Sequence, residues 1–213
     1  MGVNGMRELT KALQRFIETN IELIELGEVE KLYELIANES PDNISNFGTI
    51  LKSLDINPLD KLERVPHWYQ YNNQNIYGEV IPEHIKAIGS NAYDNCKELK
   101  QIDLGKTTFI ASYAFMNSGL EKIHIPATCM QISMSAFMNC KDLTEIIIEE
   151  GLENISSRAF KFIGAKEIKL PSSITFLGNS VFDKTTKLLV PKDNQAIERY
   201  LDSSKHLNYE YIS

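Results

Sequence analysis

The chain has 213 residues, 43% of them apolar, and a formal net charge of −7. That length suits one or two domains, and the apolar share excludes a wholly disordered chain. No basic stripe is present to neutralise phosphates, which argues against direct nucleic-acid binding, and no apolar run reaches the roughly 18–20 residues of a membrane span.

The N-terminus reads Met1-Gly2-Val3-Asn4-Gly5-Met6-Arg7-Glu8, with no basic segment leading into an apolar one, so no secretory signal is expected. Cys96, Cys129 and Cys140 are odd in number and lack zinc-type spacing, which points to a reducing, cytoplasmic setting. Charge is uneven. Residues 1–75 hold 12 acidic and 7 basic side chains, a balance of −5, and residues 76–213 hold 17 and 15, a balance of −2. The acidic first part reads as the solvated faces of amphipathic helices. The alternative is an acidic nucleic-acid mimic that meets a basic groove.

Helical spacing dominates residues 1–75. Leu9, Leu13, Phe16, Ile17, Ile21 and Ile24 form one apolar stripe, and Val29, Leu32, Tyr33 and Ile36 form a second. Ser40-Pro41 and Asn57-Pro58 are helix starts, because Ser or Asn caps and proline suits the first turn. These segments predict a small helical bundle, marginal alone at this size and therefore docked on the domain that begins at residue 76. The aromatic run His67-Trp68-Tyr69-Gln70-Tyr71 is expected to cover the open edge of that domain.

From residue 76 the chain repeats. Small-aromatic pairs recur at Ala92-Tyr93, Ala114-Phe115, Ala136-Phe137, Ala159-Phe160 and Val181-Phe182, with spacings of 22, 22, 23 and 22 residues. An apolar residue stands four before each pair, at Ile88, Ile110, Ile132, Ile155 and Leu177. Strand-like alternation comes next at Ile102/Leu104, Ile123/Ile125, Ile146/Ile148, Ile168/Leu170 and Leu188/Val190. No unit of this size can bury its own apolar face, so neighbours must stack, with equivalent positions forming ladders and the alternating segments pairing as one parallel sheet. The fold class is thus α+β: a helical head (1–75), a solenoid of about five repeats (76–191) and a closing tail (192–213). In that tail Asn194 to Leu201 reads as a helix and Leu207, Tyr209 and Tyr211 as a last strand.

The segments Ile88-Gly89-Ser90-Asn91-Ala92-Tyr93-Asp94-Asn95-Cys96-Lys97-Glu98-Leu99 and Ile132-Ser133-Met134-Ser135-Ala136-Phe137-Met138-Asn139-Cys140-Lys141-Asp142-Leu143 resemble the BspA-like, or Treponema pallidum-type, leucine-rich repeat. The resemblance spans about residues 76–191. It implies a curved solenoid used for protein–protein contact, in a family found in bacterial surface proteins, protists and phage-encoded proteins. It does not imply an enzyme. Ser118, at the place of Cys96 and Cys140, and the segments Lys161-Phe162-Ile163 and Lys184-Thr185-Thr186 depart from the pattern.

No catalytic, metal or cofactor site is expected. His67, His84, His124 and His206 are scattered, the cysteines read as small buried residues, and Glu149-Glu150 reads as a solvated loop. What remains is a surface. Side chains between the core positions of the alternating segments point outward, and most are polar. Ile147 and Leu189 break that rule amid His124, Glu145 and Lys169, an apolar centre with a charged rim. Met116 and Met138, at equivalent repeat positions, form a second candidate surface. The expected function is protein–protein interaction without catalysis, as a phage-encoded accessory or inhibitor protein acting on a host or defence complex. A structural subunit of a larger assembly is a further alternative. The expected partner is a protein, with neither nucleic acid nor membrane bound directly.

Overall fold

The computed structural model describes residues 58–70 and 78–212. The helical head and the acidic surface expected on it therefore lie almost wholly outside the described residues. Of residues 1–75 only 58–70 are described, and they open with the 3-10 turn Pro58–Lys61.

From Arg64 the chain coils. β1 (Arg64–Val65), β3 (Ala87–Ile88), β5 (Phe109–Ile110), β7 (Gln131–Ile132), β9 (Asn154–Ile155) and β11 (Phe176–Leu177) pair in that order as a six-stranded parallel sheet. Each strand is only two residues long, and from β3 onward its second residue is the apolar ladder position found in the sequence, with Val65 of β1 extending that ladder by one. A second run of strands comprises β2 (Gly78–Val80), β4 (Gln101–Asp103), β6 (Lys122–Ile125), β8 (Glu145–Ile148), β10 (Glu167–Lys169), β12 (Lys187–Pro191) and β13 (Asn208–Ile212). These strands bond as β2–β4, β6–β8 and β10–β12–β13, all parallel. β4 packs against β6 and β8 against β10. The one sheet expected from the alternation is thus three bonded groups side by side, and the six-stranded sheet is an element the alternation does not announce.

There are about six coils, where the spacing of aromatic pairs predicts about five. The additional coil precedes residue 76. Trp68, with φ 62°, matches Asn91 at φ 56°. Gln70 N–H donates to the Ala92 carbonyl just as Tyr93 N–H donates to that of Ala114. Gln70 therefore occupies the aromatic position and Tyr69 the small one, which erases the small-aromatic signature. So part of the run at 67–71 forms the first coil itself.

The core is a ladder of rings. Tyr93, Phe115, Phe137, Phe160 and Phe182 stack with centroids 5.3, 5.1, 5.1 and 5.9 Å apart and planes within 6° of parallel. Stacking at this distance follows from the strand spacing, about 4.8 Å, which sets the rise of each coil. Tyr69 and Tyr200 close the two ends edge-on, at 6.0 and 6.3 Å.

Backbone length is matched to the stack. Where one coil reads Cys96-Lys97-Glu98-Leu99, the next reads Ser118-Gly119-Leu120, one residue shorter. That shortening draws the chain onto the preceding coil, where a Cβ on Gly119 would lie 1.8 Å from the Lys97 carbonyl oxygen. Only glycine fits such an approach.

The tail closes the stack. Helix α1 (Gln195–Ser203) starts at Asn194, whose side-chain oxygen accepts from the backbone N–H of Ala196 and Ile197. The amide of Asn194 donates to the carbonyls of Ser172 and Ile174, tying the helix to the solenoid. Ile197, Tyr200 and Leu201 are buried, and β13 extends the ladder alongside β12.

Candidate functional site

Alternation in the second run of strands divides each strand into core and surface. In β4, Ile102 is buried between exposed Gln101 and Asp103, and in β6 Ile123 is buried between exposed Lys122 and His124. Parallel pairing then places outward side chains of consecutive coils side by side. Val80 is the register partner of Asp103, and His124 of Ile147. Further along, Lys169 is the partner of Leu189, and Leu189 of Glu210.

A groove of about 580 Å³ lies across β2, β4, β6 and β8. His124, Glu145 and Ile147 line it, as the sequence expects, together with Val80, Asp103 and Lys122. Val80 is 68% exposed and Ile147 51%. Val80 is the member that sequence reasoning misses. Its strand precedes the first recognised aromatic pair, and its inward residue is Glu79 where β4, β6, β8, β10 and β12 carry Ile or Leu. The Tyr93 hydroxyl donates to that carboxylate at 2.6 Å, so the hydroxyl that sets Tyr93 apart from the stacked Phe rings satisfies the inward-facing acid.

The other predicted residues lie apart from this groove. Lys169 is exposed on β10. Leu189, expected to be exposed, is half-buried, because β13 pairs alongside its strand. Met116 and Met138 are half-buried in the turns between the two runs of strands and do not line the groove. Met130 and Met134 are the more exposed methionines.

Electrostatic pairs pin the rim. His124 Nε2 lies 2.9 Å from Glu149 Oε1, and Glu149 Oε2 accepts the Ala127 N–H at 2.7 Å. The Ala127 N–H first, and His124 second, hold the Glu149 carboxyl below its ordinary range. Glu150 accepts from Ser172 N–H and Oγ–H and from Ser173 N–H, and its carboxyl is likewise lowered. The pair Glu149-Glu150, read from sequence as simply solvated, thus clamps successive coils to one another.

The cysteines are packing groups. Cys140 Sγ–H donates to the Phe115 carbonyl at 3.0 Å and Cys96 Sγ–H to that of Gln70 at 2.7 Å. Burial pushes the thiols of Cys129 and Cys140 up to about 12. Among the described residues no group of three or more His, Cys, Asp and Glu side chains could hold a metal ion, and no helix is long and apolar enough to cross a membrane.

A family model for the BspA-type leucine-rich repeat region matches residues 67–189 in six copies. A leucine-rich cell surface protein from Faecalibacterium prausnitzii is similar in structure, with a TM-score of 0.55 and 23% identity over 62% of this chain and 37% of that one. The pneumococcal vaccine antigen PcpA is similar with a TM-score of 0.51 and 30% identity over 56% of this chain and 31% of that one. The chain thus spans about a third of the length of each. No curated protein matches it.

Proposed function

We propose that this chain, which belongs to the BspA-type leucine-rich repeat family, is a protein-binding module that engages its partner through the outward face of β2, β4, β6 and β8. One observation carries the reading: Val80 and Ile147 stand exposed at either end of a groove whose other exposed side chains, Gln101, Asp103, Lys122, His124 and Glu145, are polar or charged, with Ile102 and Ile123 buried at its floor. Isolated apolar side chains on a surface are ordinary, but two held at the ends of one groove on a rigid ladder give a single partner two apolar anchors, and the apolar centre with a charged rim expected around Ile147 is not the arrangement found. Leucine-rich repeat solenoids serve generally as interaction scaffolds, and the matched family is not a catalytic one. The narrower reading, an accessory or inhibitor protein acting on a host complex in the cytoplasm, draws on the family resemblance and the sequence alone.

Affinity capture with the natural chain and with Ile147→Asp tests the face. A charge at that position disfavours an apolar contact while leaving the buried ladder untouched. Proteins retained by the natural chain should be lost with the variant, whose circular dichroism and melting should stay unchanged. An identical set retained by both would place binding elsewhere.

A further inference from the structure

The groove has a defined order across its strands: Val80 on β2, Asp103 on β4, His124 on β6 and Ile147 on β8. Its two exposed apolar residues stand at the ends, and the exposed acid Asp103 lies between them. Three strand spacings of about 4.8 Å separate the ends, or about 14 Å. An extended peptide rises about 3.3 Å per residue and presents alternate side chains on one side. Its residues i and i+4 therefore stand about 13 Å apart, with i+2 between them on the same side.

Charge fixes the middle position. The lining holds three carboxylates, Glu79, Asp103 and Glu145, against one ammonium, Lys122. Lys122 and Glu145 are register partners and offset one another. Glu79 already receives the Tyr93 hydroxyl, and His124 is paired with Glu149. Asp103, exposed at mid-groove, receives only the Gly105 N–H among the described residues, on Oδ1 at 2.9 Å. A cation on the occupant is the group that complements it.

Resting on the strand-face reading, we propose that the occupant is an extended protein segment lying across the strands, with apolar side chains at i and i+4 and a lysine or arginine at i+2. The apolar ends cover Val80 and Ile147, and the central cation meets Asp103. Affinity comes from the ends, and selectivity among apolar segments comes from the centre.

The test uses the full chain and a displayed library of random nine-residue peptides, followed by fluorescence anisotropy on a labelled peptide bearing Leu-Ser-Lys-Ser-Leu. Enriched sequences should carry the apolar–cation–apolar spacing. Exchanging the central Lys for Glu in the labelled peptide should weaken binding at least about tenfold at low salt. Asp103→Asn keeps an oxygen for the Gly105 N–H and removes the charge. It should cancel most of the preference for Lys over Gln at the centre, while Ile147→Asp should weaken every enriched peptide. Enrichment of apolar peptides without a central cation, still sensitive to Ile147→Asp, would overturn the occupant and leave the face standing. Peptides indifferent to Ile147→Asp would overturn both, and a library with no enriched sequence contradicts the occupant.

Discussion

Phe137 and Phe160 stack with ring centroids 5.1 Å apart and planes 1° from parallel, although 23 residues separate them where 22 separate Phe115 from Phe137. The difference is taken up between buried Cys140 and Leu143, where the exposed pair Lys141-Asp142 stands in place of the single Gly119 of Ser118-Gly119-Leu120 or Gly164 of Ile163-Gly164-Ala165. The core ladder is thus held constant while the turns absorb variation in length. Phe137→Ala removes a ring enclosed from both sides and should cost about 3–5 kcal/mol. Phe182→Ala should cost less, because its neighbours lie farther away at 5.9 and 6.3 Å. Denaturant unfolding of both variants checks the order, and equal, negligible losses would contradict the ladder.

Gly119→Ala puts a methyl group against a backbone carbonyl that cannot swing aside. The two coils must part locally, so a loss of about 2 kcal/mol or more is expected from overpacking. An unchanged melting temperature would show that the coils do not meet there.

Stability should fall on acidification in two stages. The imidazole of His67 accepts the Ser90 N–H on Nδ1 at 2.7 Å, and burial first, then Arg64, hold its pKa below the ordinary 6.5. Its contribution is present above 6.5 and is lost as pH falls through the lowered value, because the unfolded chain takes up the proton first. The Glu150 carboxyl lies below its ordinary 4.5, chiefly through the Ser172 N–H. Its contribution is present above 4.5 and is lost as pH falls through the folded value. Melting curves from pH 7.5 to 3 should show both declines, with His67→Ala flattening the first and Glu150→Gln the second.

With thiols at about 12, Cys129 and Cys140 expose only about one thiolate in ten thousand at pH 8. Iodoacetamide should leave both unmodified in the native protein and alkylate both in denaturant. Mass spectrometry of digests reads this directly, and rapid native labelling would show that these coils open.

Much of this fold is legible in the sequence because a stacked core allows one residue type per ladder position. Ile110 and Ile132, or Phe115 and Phe137, recur where identical geometry demands them. The first coil escapes notice because Gln70 takes the aromatic place and Tyr69 the small one. The six-stranded sheet escapes because two residues per strand are too few for a period. At the candidate site the outward set His124, Glu145 and Ile147 follows from alternation alone. Val80 does not, since its strand carries Glu79 inward and breaks the pattern, and the cover over Leu189 depends on β13 joining from the tail. The clamps made by Glu149 and Glu150 join residues more than twenty apart and leave no local mark.

The strand-face account is tested most directly by site-specific photo-crosslinking in the native cell. Benzoylphenylalanine is placed at position 147 on β8 or, as control, at position 176 on the six-stranded sheet, where Phe176 is also exposed. Binding through the strand face should give a discrete higher-mass adduct from position 147 and none from position 176. Adducts from position 176 alone would contradict it and move the binding surface to the other sheet.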